Sequence, residues 1–215
     1  MIALYFGKTE SGKSFRANIE SKNYKKVAIY DNTHCFSDGD IITDFSPESF
    51  AKIFKKYALK DEFRLIFRAP LIMNEREGAE RVARLLYSGF GLFWKQRNVD
   101  FSKRNNRLCF LVDEADKVSS LKLNSIFYTV VTKGRHFGID THAISQGPGK
   151  IPSYYKENAS EVYCFTMRAH DFIVETFGRK LAEKIQTLSQ YHYVYFKDTG
   201  EIKLFNEKGK VYGKH

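Results

Sequence analysis

The 215-residue sequence predicts a three-layer α/β fold with a mostly parallel central sheet, and three observations carry that expectation. Short apolar runs alternate with segments of helical periodicity, the pattern of repeated strand–helix–strand crossovers, which build parallel sheets. One run, "RLCFLV" at 107–112, is almost continuously apolar, as a central strand buried on both faces requires. Near the C-terminus the alternation stops, and two strand-like runs flank "KDTGE", the signature of an antiparallel hairpin over residues 191–205.

In order along the chain, "IALYF" (2–6) reads as a buried strand and "GKSFRANIE" as a helix opening at Gly12. "KVAIY" (26–30) is a second strand, ending at the polar cluster "DNTHCFSDGD". Ser46 before Pro47 is a favoured cap followed by proline at the first helical position, so residues 46–58 read as a helix. "RLIFR" (64–68) is a strand, and residues 74–96 carry apolar side chains at helical spacing. After the 107–112 strand comes a helix over 119–134, stopped by Gly134. "GIDTHAIS" (138–145) and "EVYCFTM" (161–167) complete the parallel strands. No linker, repeat or low-complexity segment divides the chain. Residues 1–215 are therefore expected to form a single domain, with a core over 1–190 and a terminal hairpin and basic tail over 191–215.

Composition narrows the function classes. Hydrophobic residues make up 43% and aromatics 15%, a globular rather than disordered balance. Cys35, Cys109 and Cys164 lie far apart with no C-x-x-C spacing, which disfavours a disulfide framework or zinc site and fits a reducing compartment. There is no signal-like start and no apolar stretch of membrane-spanning length, so a soluble protein is expected. The 35 basic against 25 acidic residues leave a net charge of +10, which favours a polyanionic partner such as nucleic acid.

"GKTESGKS", Gly7 to Ser14, matches G-x-x-x-x-G-K-[ST] in full and sits between an apolar strand and a helix. Four fixed positions coincide by chance in roughly 1 in 100 chains of this length. The chemistry follows from the backbone. N–H groups of Lys8, Thr9, Glu10, Ser11, Gly12, Lys13 and Ser14 can wrap a β-phosphate placed at the positive end of the following helix. Gly7 and Gly12 allow the tight curl, Lys13 reaches the β- and γ-phosphates, and the Ser14 hydroxyl binds Mg.

"LCFLVDEAD" supplies the acids such a site needs. Asp113, at the end of a buried strand, can hold Mg through its water shell, and Glu114 can orient or deprotonate the attacking water. Asp116 reads as a helix-start residue. A strand ends at Ser145-Gln146, where an amide can bond the γ-phosphate or the attacking water, because open α/β sheets bind ligands at the carboxyl ends of their strands. Arg135 follows Gly134 at a helix end and is a candidate arginine finger for a neighbouring subunit, with helix-dipole compensation as the alternative. Arg168, just past another strand, is a second finger candidate.

With these residues in place, the chain resembles the HerA/FtsK superfamily of P-loop motor ATPases. Within it, the likeness is to the small genome-packaging ATPases of internal-membrane, double-jelly-roll viruses, the B204-like and P9-like proteins. It covers nearly the whole chain: "GKTESGKS", "LCFLVDEA", "GRHFGI" leading to "ISQ", and the closing "LSQYHYVYFKDTGEIKLF". The resemblance implies a RecA-like core, ATP and Mg as cofactors, and a strand ending in Gln146 between the strands of the other two motifs. It makes Lys13 and Ser14 part of Walker A, Asp113 and Glu114 Walker B, Gln146 the sensor and Arg135 the finger in trans, with Arg168 the alternative. It implies a homo-oligomeric ring, typically a hexamer, that moves double-stranded DNA through a basic pore. A capsid vertex or membrane-associated viral protein is the implied docking partner, and the host cytoplasm and/or the virion the implied location. Glu10 departs from the family pattern, which often has glycine there. Two rivals remain open: a ParA-like switch, suggested by Lys8 five residues before Lys13, and a Zot-like phage assembly ATPase.

Residues 94–107, "WKQRNVDFSKRNNR", hold Lys95, Arg97, Lys103, Arg104 and Arg107 against one acid, with Trp94 and Phe101 interleaved. Phosphate contacts from these side chains would give the salt-dependent, sequence-neutral affinity that a translocating motor needs. A solvated basic loop is the alternative reading. Lys150 and the tail over residues 208–215 are weaker candidates.

Overall fold

The computed structural model describes residues 1–119, 125–168, 170–206 and 209–214, and in it the short apolar runs become strands. In chain order these are β1 (Ile2–Phe6), β2 (Lys26–Tyr30), β3 (Asp40–Ile42), β4 (Phe63–Phe67), β5 (Leu108–Val112), β6 (Ile139–Ser145), β7 (Glu161–Phe165), β8 (Tyr193–Lys197), β9 (Ile202–Phe205) and β10 (Val211–Lys214). The helices are α1 (Lys13–Ser21), α2 (Pro47–Tyr57), α3 (Glu75–Arg84), α4 (Leu92–Gln96), α5 (Ala115–Val118), α6 (Ile126–Lys133), α7 (Ser153–Glu157), α8 (Asp171–Phe177) and α9 (Arg179–Gln186).

One ten-stranded sheet runs in the order β10-β9-β8-β7-β1-β6-β5-β2-β4-β3. From β7 to β3 all neighbours are parallel. β8, β9 and β10 add antiparallel at the other side. The expected hairpin is therefore the start of a three-strand antiparallel extension. β3 also lay outside the sequence reading, because Asp40–Ile42 is a short edge strand in a polar stretch, exposed along most of its length.

Alternation along the strands divides the core. Ile2, Leu4 and Phe6 of β1 join the larger cluster with Val82, Trp94, Phe127 and Tyr155, while Ala3 and Tyr5 join Ala17, Ile144 and Tyr163 on the other face. Of the helices whose buried residues place them, α1 alone covers that second face, and α2 to α9 pack on the first. Every residue of β1, β2, β5 and β6 is buried, as the two covered faces require.

Ser46 caps α2, its hydroxyl accepting from the Ser49 amide at 3.2 Å. The helix expected over 74–96 is broken into α3, a wide π-helical stretch over residues 85–91, and α4. The wider turn keeps Leu86, Phe90 and Trp94, spaced by four, buried together, and Gly91 lets the chain pass close to Phe137. The helix expected over 119–134 starts at Ile126. Ser125 caps it, and the Glu80 carboxylate accepts from the Ile126 and Phe127 amides at 2.7 and 3.0 Å. Residues 120–124 of that expectation lie outside the described ones. Gly134 does not stop the chain's helical course. It is right-handed (φ −54°) and leads into a 3-10 turn that ends at Gly138, whose φ of 72° is left-handed. Among the described residues no helix is long and apolar enough to cross a membrane.

His142 lies in the middle of β6 and is 1% exposed, its Nδ1 3.0 Å from the Tyr5 hydroxyl. Burial pushes its pKa down to about 3. Since unfolding restores the ordinary value of about 6.5, the unfolded chain binds one more proton in that window, and stability falls as pH drops through it. Between pH 7 and pH 5 this one group should remove about 2 kcal/mol. His142→Gln should therefore lose less stability than the parent over that interval, as read from urea unfolding at the two pH values. Equal losses would exclude His142 as a source of acid sensitivity.

Candidate active site

Three parallel strands end together at one edge of the sheet. Register pairs Phe6 with Ser145 and Val112 with Ala143, so Gly7 emerges beside Gln146, and Asp113 beside Ile144 two residues earlier on the same strand. The expected placement of the Gln146 strand between the other two is what the strand order shows.

The loop after β1 is held from both sides. The Lys8 amide donates to the Thr166 carbonyl at 3.0 Å, at the end of β7. The Tyr191 amide donates to the Ser11 carbonyl at 3.2 Å, and the Gln190 side chain to the Glu10 carbonyl at 3.1 Å. A Cβ on Gly7 would lie 2.7 Å from both Phe165 Cβ and Ser11 Oγ. A Cβ on Gly12, whose φ is 102°, would lie 2.7 Å from the Tyr191 ring. Glu10 itself adopts a left-handed φ of 61°, a region that glycine enters without strain.

Lys13 is 9% exposed, and its Nζ donates to the Lys8 carbonyl at 2.7 Å. Burial lowers its pKa, and Asp113, Asp116 and Glu114 oppose that shift. Asp113 is 2% exposed. Burial raises its pKa, while the Thr33 hydroxyl donates to its Oδ2 and lowers it. Asp31 and Glu114 add like charge that raises it further. Asp31 is anchored by Arg68 at 2.9 Å and by the Cys35 amide at 2.9 Å, which fixes the turn that delivers Thr33.

Glu114 is left-handed (φ 47°) and its carboxylate meets Lys117 Nζ at 2.6 Å. Gln146 is exposed, its Oε1 accepting from Lys150 Nζ at 2.6 Å. Thr9, Glu10, Ser11, Gly12, Lys13, Ser14, Asp113, Glu114 and Gln146 all line one cavity of about 400 Å³. Thr33, Asp116 and Tyr191 line it too, and sequence reasoning had not placed them there. Thr33 was hidden in a polar loop, although that loop follows a strand, and strand ends are where this fold gathers ligand groups. Asp116 combines its helical position in α5 with a place on the cavity wall.

The structure brings neither arginine into the cavity wall. Arg135 precedes β6 and so lies at the opposite edge of the sheet, roughly 20 Å from Gln146 at ~3.3 Å of rise per strand residue. It cannot serve its own cavity. Arg168 follows β7 at the cavity's edge of the sheet and is exposed.

The basic segment over 94–107 also lies at the far edge, before β5. Lys95, Arg97, Lys103 and Arg104 are exposed there. Lys95 sits over the Phe137 ring at 4.4 Å and Arg104 over Tyr24 at 4.5 Å. Arg107 is different. Its guanidinium is only partly exposed and clamps Asp140, with Nε at 2.7 Å from Oδ2, so its charge is neutralised inside the fold rather than offered to a phosphate. Trp94 is 4% exposed and donates to the Ala58 carbonyl at 2.9 Å, and Phe101 packs over Gly138. Trp94 is a core residue, and Phe101 is half-buried against the core. Lys150 is exposed beside the cavity, whereas residues 208 and 215 of the tail lie outside the described ones.

This strand order, loop and set of strand-end residues define a RecA-like P-loop NTPase fold. Among solved structures, the genome-packaging NTPase B204 of Sulfolobus turreted icosahedral virus 2 shares it. Its complex with AMPPCP superposes with a TM-score of 0.69 at 17% identity, covering 95% of this chain and 96% of that one. The complex with ATP-gammaS gives 0.68 at 16% identity over 95% and 96%. Thermomonospora curvata EccC (ATPases 2 and 3) matches with a TM-score of 0.54 and 12% identity, over 98% of this chain and 39% of that one. At such identities the likeness establishes the fold. No protein-family model matches the sequence, and no curated protein matches it.

Proposed function

We propose that this protein is an ATPase that drives double-stranded DNA through a homo-oligomeric ring, in the packaging of a viral genome. One observation carries the reading: Lys13, Ser14, Asp113, Glu114 and Gln146 converge on one cavity at the carboxyl edge of a parallel sheet. The fold shared with a protein described as a genome-packaging NTPase supports the biological setting.

The phosphates of ATP lie in the curl from Gly7 to Ser14, and Lys13 exchanges the Lys8 carbonyl for phosphate oxygens. Ser14 and Asp113 hold Mg, which supplies charge neutralisation for the phosphates. The residues fit that ion. Asp113 and Asp116 line the same wall, Asp116 Oδ1 is buried without a partner, and Asp113 is pushed towards protonation by burial, which a bound cation reverses. Glu114 takes a proton from the attacking water and Gln146 orients it.

Arg135, too far to act on its own cavity, reaches the γ-phosphate of the next subunit, which makes hydrolysis a property of the ring. Lys95, Arg97, Lys103 and Arg104 share its edge of the sheet and contact DNA phosphates, so the finger and the DNA contacts lie together, opposite the subunit's own nucleotide cavity. A ring of six subunits, docked on a capsid vertex or on a membrane-associated viral protein, completes the proposal.

Double-stranded DNA should stimulate ATP hydrolysis by an oligomeric preparation, with a steep loss as salt rises. Lack of stimulation in a preparation shown to be oligomeric would reject translocation and favour a switch or an assembly ATPase acting on protein partners. Glu114→Gln should bind ATP normally and lose turnover by roughly 10²- to 10⁴-fold in steady-state assays; retained hydrolysis would remove Glu114 as the base. Mixing Arg135→Ala with Lys13→Ala subunits should restore part of the activity, because a Lys13→Ala neighbour still lends its arginine. An inactive mixture would reject Arg135 as the finger in trans.

A further inference from the structure

The segment "APLIMNE" (69–75) joins β4 to α3, and its middle runs against the usual polar chemistry of a turn. The Met73 amide donates to the Pro70 carbonyl at 2.8 Å, closing a turn whose two central residues are Leu71 and Ile72. Both stand wholly in water, at 103% and 99% exposure. The turn is held at both ends, by β4 before it and by Asn74 after it, whose side chain caps α3 by accepting from the Arg76 amide at 2.9 Å. A turn tied in this way presents its aliphatic pair with little entropy left to lose, the condition for an anchor that inserts into a partner.

A matching depression lies elsewhere on the same chain. α2 and α3, with the π-helical stretch after α3, enclose a groove of about 580 Å³. Phe45, Phe50, Phe54 and Leu85 line it, and Ala51 and Ser88 open it to solvent. Arg81 and Arg84 are the charged residues of its wall, so the groove is apolar with a basic rim. The Leu71–Ile72 turn is followed by the exposed carboxylate of Glu75, whose charge complements that rim. The turn belongs to the nucleotide cavity's edge of the sheet: Arg76 Nε donates to the Lys117 carbonyl at 3.2 Å, and Lys117 pairs with Glu114. The groove's wall from Leu85 to Ser88 reaches the opposite edge. There Tyr87 packs on Phe137 with ring centroids 4.4 Å apart, two residues beyond Arg135.

We propose that Leu71 and Ile72 of one copy of this chain seat in the groove lined by Phe45, Phe50, Phe54 and Leu85 of the next copy. Anchor and groove are different surfaces, so the contact is head-to-tail and repeats from subunit to subunit until it closes. An anchor near the nucleotide cavity entering a groove near Arg135 also sets the polarity of the contact. The cavity edge of one subunit faces the arginine edge of its neighbour, which is the direction a finger in trans requires. The inference rests on the ring reading above and adds to it the surface that joins the subunits.

Sedimentation velocity on the full chain with Mg and ATP-gammaS tests it, using two variants on opposite sides of the contact. Leu71→Ser with Ile72→Ser removes the anchor, and Ala51→Arg fills the groove; all three positions are exposed, so the core is untouched. Each variant alone should self-associate roughly 100-fold more weakly than the native protein, the effect of losing two buried aliphatic side chains. Mixed, the variants retain one intact anchor and one intact groove between them, so they should form heterodimers and grow no further. The proposal is overturned if either variant assembles as the native protein does, or if the mixture stays monomeric or builds native-size assemblies. Native-like assembly by the anchor variant would assign Leu71 and Ile72 to another partner, a capsid protein or a lipid surface. A native protein that stays monomeric at every concentration is a separate result: it rejects the ring, and this contact with it.

Discussion

Everything at the candidate site depends on β6 being threaded, fully buried, between β1 and β5. A strand with hydrogen bonds on both sides and helices on both faces has no freedom to slide. Its register therefore fixes where Gln146 stands relative to the phosphate loop and the two acids. The strand is polar for so buried a place, and most of that polarity is matched. Asp140 is held by Arg107 and Tyr24, His142 by Tyr5, and Ser145 by the Gly147 carbonyl at 3.1 Å. Partners so specific leave a one-residue slip with several unsatisfied groups at once, which is how polar residues in a core enforce register.

The catalytic candidates are each restrained by a neighbour close in sequence. Lys13 bonds the Lys8 carbonyl, Glu114 the ammonium of Lys117, and Gln146 that of Lys150. Lys117 and Lys150 are exposed, and exposed ion pairs contribute little, so nucleotide phosphates can replace these contacts at small cost. The phosphate loop is different, because it is tied at Lys8 to β7 and at Glu10 and Ser11 to the segment before β8. The C-terminal strands thus serve the site, although they lie outside the parallel part of the sheet.

Arg107 and Trp94 show how far a sequence of charges and aromatics can mislead. Both stand in a segment whose composition fits contact with nucleic acid. Yet one neutralises Asp140 and the other fills the core with its indole N–H satisfied. Their neighbours Lys95, Arg97, Lys103 and Arg104 stay in solvent. Composition cannot separate these cases, because an arginine beside a buried strand and one on a loop read the same until the opposing aspartate is located.

The sequence by itself determined the parallel α/β architecture, the phosphate loop and the acid pair. Each is written in contiguous residues whose spacing has a local physical meaning: a period of two or of 3.6, glycines at a curl, carboxylates at the end of an apolar run. The tertiary structure alone decided the position of Thr33 against Asp113, the grip of residues 190 and 191 on the loop, and the sheet edge that carries Arg135. It also decided that the Tyr193 hydroxyl and Arg16 Nε are buried without partners. These depend on which strands become neighbours and on what side chains distant in sequence leave unsatisfied, and no local pattern encodes either.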